Sequence, residues 1–118
     1  MRSCQVLASF SRAIRRGNRV LVSGTTATHR GGVVGGSSAA AQSYFALDKI
    51  EAALIALGSS LSDVIRTRIY VRHIADWQAV AVAHGERFKG ICPANTLVQA
   101  GLVGDEYLVE IEAEAELG

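Results

Sequence analysis

Hydrophobic and polar positions repeat along this chain with two different periods, and the changes of period mark out its elements. The last segment is the most regular. Val109, Ile111, Ala113 and Ala115 fall on one side, and Glu110, Glu112, Glu114 and Glu116 on the other. That period of two is the mark of a strand with one buried face. Val64–Arg72 repeats it, with Ile65, Thr67, Ile69 and Val71 opposite Arg66, Arg68, Tyr70 and Arg72. Arg19–Gly24 is a β-branched run behind a Gly17-Asn18 turn signal, so the stretch from Gln5 to Arg16 supplies its hairpin partner. Pro93–Gln99 reads as a further strand, followed by a turn region from Gly101 to Gly104.

Between the strands the period lengthens. Leu47, Ile50, Leu54 and Leu57 form the apolar stripe of a helix capped by Ser37 or Ser38 and stopped at Gly58. Asp48, Lys49 and Glu51 fall off that stripe, toward solvent. Trp77, Val80, Ala81, His84 and Phe88 form the stripe of a second helix, with Asp76 as its cap. Arg30–Gly36 holds four glycines but neither a P-loop ending nor a dinucleotide fingerprint, so it reads as a hairpin or loop.

The order β-β-α-β-α-β-β predicts an α+β fold, a single domain over residues 1–118, with one sheet and both helices on one face. The other sheet face then has no cover. Composition sharpens this point: the chain has 118 residues, of which 49% are hydrophobic and only 6% aromatic. A chain of this size buries about two-thirds of its unfolded surface by itself. The apolar excess therefore points to burial against other subunits, as when three such sheets close around an axis.

Charge and cysteines exclude several classes. Twelve Lys and Arg against eleven Asp and Glu leave a net charge of +1, which gives little pull on nucleic acid or anionic lipid. Cys4 and Cys92 are too few for a disulfide framework and read as buried thiols in a reducing cytoplasm. The N-terminus lacks the apolar core of a signal peptide, and no apolar run spans a bilayer. His29 and His73 are not at metal spacing with any cysteine or carboxylate cluster. Arg66, Arg68 and Arg72 read as a solvated or subunit-contact face, with anion binding as the alternative. Glu112, Glu114 and Glu116 read as a water-facing edge, and Glu110, near the start of its strand, as the carboxylate that enters a cleft. His84 reads either as a buried, hydrogen-bonded histidine or as a polar group lining a pocket.

Taken in order, Gly17-Asn18, Val22-Ser23-Gly24, Ala56–Val64, Tyr70-Val71, Asp76-Trp77, Pro93–Thr96 and Leu108–Ala113 resemble the Rid/YjgF family of reactive-intermediate deaminases. The resemblance covers roughly residues 5–116. It implies a chorismate-mutase-like homotrimer with a mixed sheet, small-molecule sites in clefts between subunits, and no metal or organic cofactor. It places Glu110 at the glutamate that positions the attacking water. Ser23 and Gly24 fall at the Ser-Gly turn of the cleft, and Phe10 at a pocket tyrosine. Ala81 falls at an asparagine, and His84 at an aromatic residue. Asn95, followed by Thr96, stands where the family's Pro-Ala-Arg motif has the arginine that grips a substrate carboxylate. Asn is neutral and carries no charge to a carboxylate. The resemblance thus implies a small-metabolite protein that hydrolyses an imine, enamine or related substrate other than 2-aminoacrylate. A non-catalytic ligand-binding or pathway accessory trimer is the alternative. RNA binding or cleavage through Arg12, Arg15, Arg16 and Arg19 is a third reading, and the near-neutral charge argues against it. Arg66, Arg68, Arg72 and Arg87 are the candidates to replace the missing arginine.

Overall fold

The computed structural model describes residues 4–5 and 10–118. Part of the expected first strand, and the side chain of Cys4, lie outside the described residues. A short pair, β1 (Cys4–Gln5) with β2 (Phe10–Ser11), precedes the main sheet. That sheet contains β3 (Ala13–Arg16), β4 (Arg19–Thr25), β7 (Val64–Val71), β8 (Ala94–Gln99) and β9 (Val109–Glu116). Its order is β3-β4-β9-β7-β8, antiparallel throughout except for the parallel pair β7–β8. Strands β5 (Thr28–His29) and β6 (Gly32–Val33) make the hairpin expected in the glycine-rich stretch. Two helices, α1 (Ala39–Ala56) and α2 (Trp77–Arg87), complete the α+β fold.

Helix α1 begins where Ser38 accepts a hydrogen bond from the Ala41 amide at 3.1 Å. It ends where Gly58 takes φ +84°, a left-handed conformation that suits glycine. Its stripe of Leu47, Ile50 and Leu54 is fully buried against Val20 and Val22 of β4, Ile69 and Val71 of β7, and Val109 and Ile111 of β9. Truncating Ile50 removes methylenes from a site with no solvent path. Ile50→Ala is therefore expected to cost about 2–5 kcal/mol. Chemical denaturation measures this, and a loss below about 1 kcal/mol would show that Ile50 is not a core residue.

Several expectations need correction. Strand β9 lies at the centre of the sheet, so Glu112 and Glu114 are not at a water-facing edge. They stand on the open face, opposite the helices, where the register sets arginines beside them: Arg68 reaches Glu112 at 3.2 Å, Arg66 lies 3.8 Å from Glu114, and Arg19 reaches Glu116 at 3.1 Å. Each pair is half-exposed and contributes little alone, but together they offset the repulsion of four carboxylates on one strand. The open face is accordingly more charged than the apolar excess suggested, with Leu21 and Val98 as its exposed large hydrophobics.

Helix α2 is rotated from its expected stripe. Val80, Ala83 and Phe88 are buried, while Trp77 and Ala81 are exposed. Asp76 closes a 3₁₀ turn with helical backbone angles (φ −84°, ψ 0°) and makes no side-chain cap, because a capping residue needs extended angles. Lys49 is not solvated: its Nζ donates to the Thr26 and Thr28 carbonyls at 3.1 and 2.9 Å and holds the β5–β6 hairpin. Cys92 is exposed rather than buried. Among the described residues, no helix is long and apolar enough to cross a membrane.

Candidate functional site

The site begins with an irregularity between β4 and β9. Val22 pairs with Ala113 and Thr25 with Ile111, so three steps on β4 face two on β9. The extra residue makes a bulge at Ser23–Gly24 and turns that backbone out of the ladder. Ser23 fixes the bulge by donating to the Ser11 carbonyl at 2.7 Å. The freed space is taken by Glu110: a Cβ placed on Gly24 would lie 2.4 Å from Glu110 Oε2. Only a residue without a side chain lets the carboxylate lie against the backbone here.

Glu110 is half-buried, and among the described residues no donor bonds to its carboxylate. Burial, helped by the neighbouring Glu112, raises its pKa above the ordinary carboxylate range. Glu112 is already occupied, accepting from Tyr70 Oη at 3.0 Å and Arg68 at 3.2 Å. Glu110 is therefore the available base of the pair. It lines a cavity of about 300 Å³ with Tyr70, Glu112 and Ala100–Val103. Phe10, Arg12, Ser23, Gly24 and Lys49 line a second cavity of about 310 Å³, whose Gly24 lies against Glu110.

Two further residues support this geometry. Arg72 donates to the carbonyls of Leu102, Gly104 and Tyr107 at 2.6–2.9 Å and holds the loop beside Glu110. Fully buried Gln42 donates to Gly36 and Glu106 and accepts from the Leu108 amide at 2.9 Å, two residues before Glu110. Gln42 could have been found as a polar side chain in phase with the α1 stripe extended back by one turn.

Asn95 and His84 belong to a different surface. Asn95 pairs in register with Thr67, on the helix face of the sheet. Its Nδ2 donates to Thr67 Oγ1 at 2.9 Å, and Thr67 Oγ1 lies 2.8 Å from His84 Nε2 on α2. Burial lowers the His84 pKa, which favours the neutral imidazole. His84 is thus half-buried and hydrogen-bonded. It lies behind a cavity whose wall is Ile74, Trp77, Ala81, Asn95 and Leu97. Thr96 takes the opposite side of β8, level with Arg68.

The sequence-derived candidates therefore form two groups. Ser23, Gly24 and Glu110 gather at the bulge, with Phe10 lining the cavity beside Gly24, while Asn95 and His84 sit on the helix face of the sheet. Along β9, Asn95 is level with Ala113, three residues from Glu110 and two strands away, or ~10 Å in each direction. None of the four arginine candidates reaches Asn95 within the chain. Arg66 and Arg68 pair with glutamates on the open face, Arg72 holds its loop, and Arg87 pairs with Asp48 while its guanidinium lies over the Tyr44 ring. Among the described residues, no three metal-ligating side chains converge.

The same architecture is found in a crystal structure of Rv2704 from Mycobacterium tuberculosis, a member of the YjgF/YER057c/UK114 family. The TM-score is 0.84 and the identity 41%, over 95% of this chain and 89% of that one. The family described as Endoribonuclease L-PSP matches residues 2–117. The chain belongs to this YjgF/Rid family. A Rid-family protein from Yersinia pestis is similar with a TM-score of 0.86 and 26% identity, over 94% of this chain and 90% of its own. The 3-aminoacrylate deaminase RutC of Acinetobacter baylyi is 36% identical over 112 residues, 94% of this chain and 89% of its own. As a YjgF/Rid fold, the chain presents an open sheet face and an uncovered β8 edge.

Proposed function

We propose that the protein is a cytoplasmic homotrimer that hydrolyses a small imine or enamine in clefts between subunits. The observation that carries this reading is the Glu110 carboxylate, half-buried against the Gly24 backbone and without a hydrogen-bond donor among the described residues. A base with a raised pKa beside a small cavity can hold and deprotonate a water. The water oxygen adds to the carbon of a protonated C=N bond while Glu110 takes one water proton, giving a neutral carbinolamine. Glu110 returns that proton to the nitrogen; as the C–N bond breaks, Glu110 takes the proton of the carbinol hydroxyl, and a carbonyl compound and ammonia leave, the last proton passing to solvent. An enamine enters the same path once protonated at carbon. The named activity of the Acinetobacter relative is also an enamine deamination.

Placement supports a cleft made by more than one copy. Asn95 and Glu110 lie on opposite faces of one sheet, so a cleft containing both draws them from different chains. The free, exposed Cys92 thiol fits a reducing compartment. Cleavage of RNA has less support, because Arg15 is spent on the Gly17 and Leu57 carbonyls and Arg19 on Glu116.

The test is a panel of neutral and carboxylate-bearing imines and enamines, followed by release of ammonia and carbonyl product. Turnover of neutral members is expected. Binding without turnover on any member would replace the hydrolase with the accessory-protein reading, which the apolar Phe10 and Ala81 and the uncharged Asn95 also allow.

A further inference from the structure

We propose that Asn95 and the apolar wall around it form a recognition subsite that selects neutral ligands presenting an N–H donor and rejects carboxylates. The orientation of the Asn95 amide decides this. Its Nδ2 faces both Thr67 Oγ1, at 2.9 Å, and the Thr67 carbonyl, at 3.4 Å. A backbone carbonyl only accepts hydrogen bonds, so the amide nitrogen must be the atom turned inward. Thr67 then accepts from Asn95 and passes its own hydroxyl proton toward His84 Nε2, 2.8 Å away. Thr67 is fully buried, so this chain is anchored in the core.

With Nδ2 committed, Oδ1 is the polar atom that Asn95 offers to a ligand, and among the described residues no donor reaches it. The surrounding wall is apolar: Ile74, Trp77, Ala81 and Leu97 line an open groove of about 480 Å³ with Asn95, most of it exposed. One polar group on an apolar wall suits a small molecule. A carboxylate placed there would meet a carbonyl oxygen and no cation, because Arg66, Arg68 and Arg87 are paired elsewhere. An amide or amine N–H would instead find its acceptor, with its hydrocarbon part against Trp77 and Leu97.

As the recognition half of the hydrolase proposed above, the subsite rests on that reading, but its selectivity is measured by binding and needs no turnover. Trp77 is the only tryptophan of the chain and lines the cavity, so its fluorescence reports occupancy. Isovaleramide and isovalerate have the same shape and differ in charge and donor. Titration of the full-length protein is expected to show saturable change with isovaleramide and at least tenfold weaker binding of isovalerate. Asn95→Arg is expected to reverse the order. Equal or tighter binding of isovalerate by the wild type overturns the proposal, as does no response to isovaleramide, which is also the result if a second copy fills the cavity. Selective binding without ammonia release on the panel would remove the hydrolase and leave the subsite. Turnover with no such selectivity would do the reverse.

Discussion

Glu110→Gln is expected to lower imine or enamine hydrolysis by ~10²–10⁴-fold, the usual contribution of a positioned general base. Gln keeps the size of the side chain and its contact with Gly24 but cannot take a proton from water. Substrate binding should survive, so the loss falls on kcat. The pH dependence follows from the raised pKa of Glu110. The base is active when ionised, so the wild-type rate should rise through a pH above the ordinary carboxylate range, and the variant should lose that limb. Stability has its own sign. A carboxyl whose folded pKa is raised favours the folded state while protonated, and that advantage is lost as pH rises through the folded pKa. Glu110→Gln should therefore be at least as stable as wild type at neutral pH, with any gain vanishing in acid. Retention of activity within tenfold of wild type would remove Glu110 from the chemistry.

Gly24→Ala should do comparable damage by a different route. The new methyl carbon would lie 2.4 Å from Glu110 Oε2 and 2.9 Å from its Cδ, inside any real contact distance. The flexible end of Glu110 must give way, because it is easier to move than the backbone. A displaced carboxylate no longer aligns water with the substrate carbon, and a shift of about 1 Å can cost ~10²-fold. The fold should hardly notice, since Gly24 is exposed and has no positive φ that an alanine would strain. Activity and thermal denaturation measured together separate the two effects. In a Glu110→Gln background the substitution should add little further loss, since both act on one group. Full activity in Gly24→Ala would mean that the bulge does not position the base.

Much of the architecture was legible because the periods are strong. The alternation in β9, the arginine strand β7 and the Leu47–Leu54 stripe each specify an element and its buried face. Strand order was not legible. Nothing local in Leu108–Glu116 says that it lies between β4 and β7, because a row of glutamates on one face suits an edge strand equally well. The rotation of α2 was missed for a related reason. Trp77 and Ala81 look like core by hydrophobicity, but close packing of two helices favours small Ala83 at the contact and leaves the bulky ring at the rim. Ile65 left its expected face because the Val64–Arg66 pairing contains an irregularity, which local alternation does not record.

The candidate site was legible as a set of residues but not as an arrangement. Ser23, Gly24 and Glu110 could be named from sequence, yet their contact depends on one extra residue in β4 relative to β9. Asn95 could be named from its place after Pro93, yet its inward-facing amide depends on the parallel register that sets Thr67 beside it. Gln42 and Arg72 act through backbone groups far away in sequence, and Thr67 through the side chains of Asn95 and His84; residue type alone does not announce such partners.

Placing Asn95 and Glu110 on opposite sides of one sheet has a consequence for how such a protein can change over generations. The sheet between them separates each from substitutions made beside the other. In the proposed hydrolase, ligand preference could then drift on the helix side while bond-breaking chemistry is preserved on the open side, and the reverse. On that reading a single small chain carries two separately adjustable traits, which come together only when copies of it meet.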